Sequence, residues 1–279
     1  MKINSLSVSF LIAGVINTLL GTFLYVKSRK RFSNRIFSFF TFQLALWCFI
    51  DFFIASAVSL SFAALMIRTA FAVGAFLPST FYLFAVSMGK EKLSRDEIRN
   101  ISLFYSASLL IAILCFSPNF ISRVFWVPLS SKKIIMPGPE VEYGRITFSL
   151  YILGVISMMI MGLGYLYRKK RAQTGLLLLE IQYVFIGVLM GTVFTTFTSL
   201  IPSLFGTSIP ARFAPFSSVI MVGIIAYGIA KYKIMDMSLV YESLILYSSL
   251  SLSLGLIYFI IFISINILTR EVSDVRPSA

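Results

Sequence analysis

Seven stretches of roughly twenty apolar residues, each ended by basic or turn-forming residues, leave few folds open to this chain. A run of that length crosses the roughly 30 Å hydrocarbon layer as a helix, because a helix satisfies its backbone N–H and C=O groups without water. The runs fall at 5–26, 36–57, 62–88, 101–116, 146–167, 176–200 and 213–230, and an eighth follows at 244–268. The first is too long and uninterrupted for a signal-peptide core and has no small-x-small cleavage site before its charges, so it is expected to stay. Hydrophobic residues make up 58% of the 279 and charged residues 13%, far from the balance of a soluble domain. The expected fold is all-α, a polytopic membrane bundle with a seven-helix core plus an eighth hydrophobic helix.

Charge sets the orientation. Only Lys2 precedes the first run, whereas Lys27, Arg29, Lys30, Arg31 and Arg35 follow it. Further basic groups gather at 90–99, 168–171 and 231–233, on alternate sides of the runs. Basic residues in short loops stay in the cytoplasm, so the chain is expected to be a multi-pass protein of the inner (plasma) membrane with its N-terminus outside. This distribution explains the net charge of +13 by topology and the lipid bilayer, and nucleic acid is not an expected partner.

The residue inventory removes much chemistry. Histidine is absent, so the chain itself offers no His-ligated metal or haem, no Ser-His or Cys-His nucleophile and no phosphoacceptor histidine. Cys48 and Cys115 lie inside apolar runs and read as small buried hydrophobes. No lysine precedes Lys231 in the seventh run, which excludes a retinal Schiff base there. A phosphate loop and a metal-binding acidic cluster are also missing, so neither catalysis nor a cofactor or metal is expected. The ionisable residues within the runs are Asp51, Arg68 and Glu180, and Glu180 sits near enough to a run's cytoplasmic start to snorkel. Asp51 lies about six residues before the outer end of run two and Arg68 about six after the outer start of run three. Both therefore sit about 9 Å below the outer surface. A charge at that depth calls for a counter-charge or a polar cavity, so the two are expected to pair or to share a pocket.

Residues 117–145 form the one long connection, rich in proline and aromatic residues, and connections of this length in compact domains are usually functional or disordered. Segments 124–127 and 133–136 flank Pro128 and predict a short hairpin on the outer face. With the two charges below it, the connection supplies a set of ligand candidates: Asp51, Arg68, Phe125, Trp126 and Tyr143. In run six, Gly187-x-x-x-Gly191 suits close helix packing, either within one bundle or between two copies in a homodimer.

Several blocks in order resemble the seven-helix membrane input region at the N-terminus of bacterial sensor histidine kinases. They are Arg31-x-x-Asn34-Arg35-x-Phe37 with Leu44-Ala45-Leu46-Trp47, Arg68 with Phe76-Leu77-Pro78 and Phe81 to Phe84, and Pro137-Gly138-Pro139. Gly187, Gly191 and Pro202 add to these, and the seventh run closes with Ala226-Tyr227-x-Ile229-x-Lys231-Tyr232-Lys233-Ile234-Met235-Asp236. The resemblance implies a sensory domain at 1–237 that detects a small-molecule, lipid or protein signal in its outer half. Helix seven would then report to a downstream effector, with Tyr227, Lys231, Tyr232, Lys233 and Asp236 as the output residues. The segment 238–268 would be an additional hydrophobic helix and 269–279 a polar tail. No dimerisation helices or ATP-binding motifs follow, so the chain is either an input region parted from its effector or a stand-alone module. The alternative is a small transporter or channel-like protein, although the interrupted helix pairs common in transporters are not evident.

Overall fold

The computed structural model describes residues 5–27, 32–126, 139–206, 211 and 213–232, with side chains described up to residue 225. Segment 133–136, Lys233, Asp236, the eighth run and the tail lie outside the described residues.

The architecture is the expected helical membrane bundle. Its long helices are α1 (Ser5–Lys27), α2 (Phe32–Ala55), α3 (Leu60–Ser87), α4 (Arg95–Cys115), α5 (Arg145–Arg171), α6 (Gly175–Thr195) and α7 (Ala214–Tyr232). Six are long and apolar enough to cross a membrane among the described residues, α6 being counted to Leu204. The 19 residues of α7 rise about 28 Å, close to the hydrocarbon thickness. Leu19, Leu110 and Ile146 are among the large apolar side chains left on the outer faces, as contact with lipid tails requires.

Three boundaries differ from the sequence expectation. Helix α4 begins at Arg95, six residues before the predicted run. Its charged first turn is held by a capping box in which the Ser94 hydroxyl accepts from the Glu97 amide at 3.3 Å and the Glu97 carboxylate accepts from the Ser94 amide at 2.9 Å. Helix α2 likewise begins early, at Phe32, which places Asn34 and Phe37 in the helix, both fully buried. Helix α6 continues through a π turn, Thr196–Leu200, and a last α turn, Ile201–Leu204. Pro202 lies in that last turn, not in a connection. Having no N–H to return to Thr198, it follows directly on the wider turn.

Helix α3 is central, packing on α2, α4 and α5, and α7 closes the ring against α6, α1 and α2. The α6–α7 contact uses the glycine pair. A Cβ at Gly187 would stand 2.8 Å from Ile225 Cγ1, and one at Gly191 would stand 3.0 Å from Met221 Cβ. The small-residue face is thus occupied by α7 of the same chain, which decides between the two readings of the motif. Helices α3 and α4 are joined by a buried pair in which the Ser79 and Ser108 hydroxyls lie 2.7 Å apart and Ser108 donates to the Ala75 carbonyl.

The long connection does form a hairpin, with β1 (Ile121–Trp126) antiparallel to β2 (Pro139–Tyr143). The strand paired with β1 therefore begins at the last proline of the Pro-Gly-Pro stretch, later than 133–136, and its register pairs Val124 with Val141 and Trp126 with Pro139. Alternation explains the choice, since Pro139 and Val141 turn inward while Glu142 stays exposed. Gly144 ends the strand because a Cβ there would meet the Asn119 carbonyl oxygen at 1.8 Å.

Candidate functional site

Beneath the hairpin, the helices part around a cavity of about 200 Å³. Helices α1, α2, α3, α5, α6 and α7 all contribute to its wall, and Pro139, Val141 and Tyr143 of β2 close its roof. Most of the lining is aliphatic or aromatic, from Phe10, Leu44, Ile67, Phe71 and Met159 among others. In α3, Gly74 and Pro78 both face it, one helical turn apart. Pro78 has no amide to give to the Gly74 carbonyl, so the helix forgoes one rung at the cavity wall.

The roof is held by an aromatic cluster centred on Phe71. The rings of Phe120, Tyr143, Phe148 and Tyr151 each meet it edge-on, with centroids 5.1 to 5.6 Å away. Tyr143 stacks on Phe148 at 4.1 Å, and the Tyr151 hydroxyl donates to the Phe71 carbonyl at 3.1 Å. Phe120 and Phe148 are almost completely buried, so strand roots and helix ends form one packed layer above the void.

Polar groups enter this apolar space from three directions. Asp51 of α2 is half-buried and lines the cavity. The α6 helix and its π turn present Thr192, Thr195, Thr196 and Ser199, and α7 presents Ser217 and Ser218. Some are tied to each other, as Thr195 donates to Ser217 at 2.6 Å and Asn17 of α1 donates to Ser218 at 3.1 Å. Others are not. Among the described residues, no hydrogen bond is made by the Asp51 carboxylate, the Tyr143 hydroxyl, the Trp47 indole N–H or the hydroxyls of Thr192 and Thr196. Burial, and after it the negative charge of Asp51, pushes the Tyr143 phenol above its ordinary value, so it stays a neutral donor at the roof. No cluster of metal-ligating side chains occurs among the described residues.

Residues 9–238 match the family described as the N-terminal 7TM region of histidine kinase. This chain belongs to that family. The match begins within α1 and takes in the other six long helices whole, and membership makes the chain a membrane sensory input region that works with a downstream effector. Comparisons with curated proteins and with solved structures returned no match.

Within this 7TM region, the sequence candidates separate. Asp51 and Tyr143 line the cavity together. Arg68 does not, and the expected Asp51–Arg68 pair is not formed: Arg68 Nη1 donates to the carbonyls of Cys115, at 2.9 Å, and Ser117. The guanidinium caps the C-terminal end of α4, whose last carbonyls have no helical partner and carry the negative end of the helix dipole. Phe125 and Trp126 lie on β1 away from the cavity, Phe125 beneath the Arg123 guanidinium at 5.6 Å and Trp126 exposed across from Pro139. Tyr227, Lys231 and Tyr232 belong to the last turns of α7, whose side chains there are outside the described set, as are Lys233 and Asp236. Glu180 is buried inside the bundle where snorkelling was expected. Cys48 and Cys115 are free and buried.

Trp47, Tyr151 and the hydroxyls of α6 were not among the sequence candidates for the site. A signal for the last group exists: positions 192, 195, 196 and 199 follow the i, i+3, i+4, i+7 spacing of one helix face, a polar stripe on an otherwise apolar helix.

Proposed function

We propose that the cavity beneath the hairpin is where this input region receives its signal, and that α7 carries the response to the effector. The observation behind this reading is that one helix serves both ends. Ala214, Ser217, Ser218 and Met221 of α7 form part of the cavity wall, and the same helix continues to Tyr227, Lys231 and Tyr232. A ligand shifts such a helix only if it favours one of two packings, and the space beside the small residues Ala214, Ser217 and Ser218 leaves room for a second one. In this reading residues 1–237 are the sensory unit, with Lys233 and Asp236 completing the output, and 238–268 is an added hydrophobic segment. The hairpin faces outward from an inner membrane, with the N-terminus on the same side.

The test needs no knowledge of the signal. The chain is fused ahead of a histidine kinase with a measurable output, and the cavity is filled by Thr192→Phe. Basal kinase output should change severalfold at equal membrane abundance, while Val193→Phe on the outer face of α6 should leave it unchanged. Equal output from the two variants would overturn the proposal. Reconstitution in liposomes tests the transporter alternative, because substrate flux that Thr192→Phe blocks would move the function there.

A further inference from the structure

The cavity has a particular electrostatic character. Among the described residues that line it, Asp51 is the one charged group and none is basic. The nearest candidate for a counter-charge by sequence, Arg68, is bound to the α4 carbonyls. A carboxylate left alone in an apolar, low-dielectric space is costly, and a bound cation would offset that cost directly. An anionic occupant would meet the opposite situation, repelled by Asp51 and offered no cation by the described lining residues.

Shape and lining narrow the class further. An apolar protein cavity of about 150 Å³ admits benzene, so about 200 Å³ accommodates a six-membered ring with a short substituent, roughly ten non-hydrogen atoms. That is too little for a peptide or a lipid chain. The aromatic rings of Trp47, Phe71, Tyr143 and Tyr151 border the space, and aromatic rings attract organic ammonium groups in desolvated sites. The unpaired hydroxyls of Thr192 and Thr196 can accept the remaining ammonium protons.

We infer that the cavity takes a small hydrophobic amine, its ammonium group on the Asp51 carboxylate and its apolar body against the Phe71 aromatic cluster. This deepens the sensory-cavity reading and rests on it. Asp51 is then the group that selects for positive charge, and the size of the cavity limits what that charge is attached to.

The experiment uses the full chain in lipid nanodiscs and two near-isosteric probes, 2-phenylethylamine and 2-phenylethanol, with binding followed by calorimetry. The amine should bind at least about tenfold more tightly than the alcohol. Asp51→Asn should weaken the amine roughly ten- to a hundredfold, the size of a lost charge-assisted hydrogen bond, and leave the alcohol nearly unchanged. Asp51→Glu should keep the preference for the amine, which separates loss of charge from loss of fold. Absence of amine binding, an alcohol bound as tightly as the amine, or an Asp51→Asn protein that binds the amine like the wild type would each overturn the inference. Thr192→Phe tells this failure from the larger one. Alcohol binding abolished by that substitution, with no preference for the amine, leaves the sensory cavity standing and removes only the amine. Probe binding indifferent to Thr192→Phe removes both.

Discussion

At the end nearest the basic loops, α2, α3, α5 and α6 are filled by Phe37, Phe81, Phe84, Leu166 and Ile181, all fully buried in one cluster. At the hairpin end, the same helices part around a cavity of about 200 Å³ with an unpaired carboxylate in its wall. The contrast repeats in the treatment of cations. Near the basic loops, Lys169 of α5 donates to the Ala85 and Val86 carbonyls at 2.8 and 3.0 Å and so caps α3. Near the hairpin, Arg68 caps α4 in the same manner and so does not pair with Asp51, which has no partner among the described residues. One half of the bundle is close-packed around large buried side chains. The other leaves a group unresolved and a space beside it, which is what a ligand needs and what stability alone would not select.

If the two halves differ in this way, they should answer mutation differently. The largest effect is expected for Phe84→Ala, which empties a fully buried site in the dry half and should cost about 3 to 5 kcal/mol in reversible unfolding from mixed micelles. Thr192→Phe adds a ring in the other half and should change stability by less than about 1 kcal/mol, since it enters existing space. A reversed ranking would break the comparison.

The next effect probes the seam between α6 and α7. Gly187→Leu must displace Ile225 and the Met221 carbonyl, and overpacking of this kind costs about 1 to 3 kcal/mol. Gly164→Leu on α5, where a Cβ meets nothing within 4 Å, should be nearly silent in the same melt. A similar cost at both positions would mean that the glycine pair is not the contact that seats α7.

A comparable but more diagnostic change is Arg68→Met. Losing two bonds from a charged donor should cost on the order of 1 to 3 kcal/mol, and the same amount again in an Asp51→Asn background, within about 0.5 kcal/mol. Larger coupling in that double-mutant cycle would reinstate an ion pair between the two. For the same reason the charge swap Asp51→Arg with Arg68→Asp should fail to restore folding yield, because an aspartate cannot cap the α4 carbonyls.

The smallest effect lies at the basic end. The Lys90 ammonium is held above its ordinary value chiefly by its hydrogen bond to Glu97. A raised lysine value in the folded state means that the pair's contribution is fully present below about pH 10.5 and is lost as pH rises beyond it. Lys90 is partly exposed, so the contribution is a few tenths of a kcal/mol. Lys90→Met should flatten the stability profile between about pH 9 and 12 by that amount, and a profile unchanged by the substitution would remove Lys90 from the ledger of the dry half.

Much of this was legible in the chain itself, for identifiable reasons. Run length and the cost of an unsatisfied backbone in lipid determine the helices, and the Ser94-x-x-Glu97 signature was available to place the start of α4 correctly. The glycine pair named its own face, but only the fold says that α7 covers it. The hairpin was visible as a composition, whereas its register depended on which of several prolines ended a strand. The site was half legible. Asp51 stood out as an acid in an apolar run, and Tyr143 as an aromatic in the long connection. The equal depth of Asp51 and Arg68 suggested that the two pair, yet depth along a helix fixes height and not azimuth. The carbonyls that took Arg68 belong to α4, some 47 residues away, and become neighbours only once α3 and α4 are packed.

The π turn at Thr196–Leu200 has a consequence for how this wall is built. It inserts one residue into an otherwise α-helical count, so the turn beyond it, Ile201–Leu204, is out of phase with the face before it by about 100°. The turn itself belongs to the wall: Thr196, Ser199 and Leu200 line the cavity, and beyond it Ser203 stays buried while Leu204 and Phe205 are exposed. The Ile201 amide closes the turn on the Thr196 carbonyl, so the one irregular stretch of this helix faces the space, along an unbroken backbone.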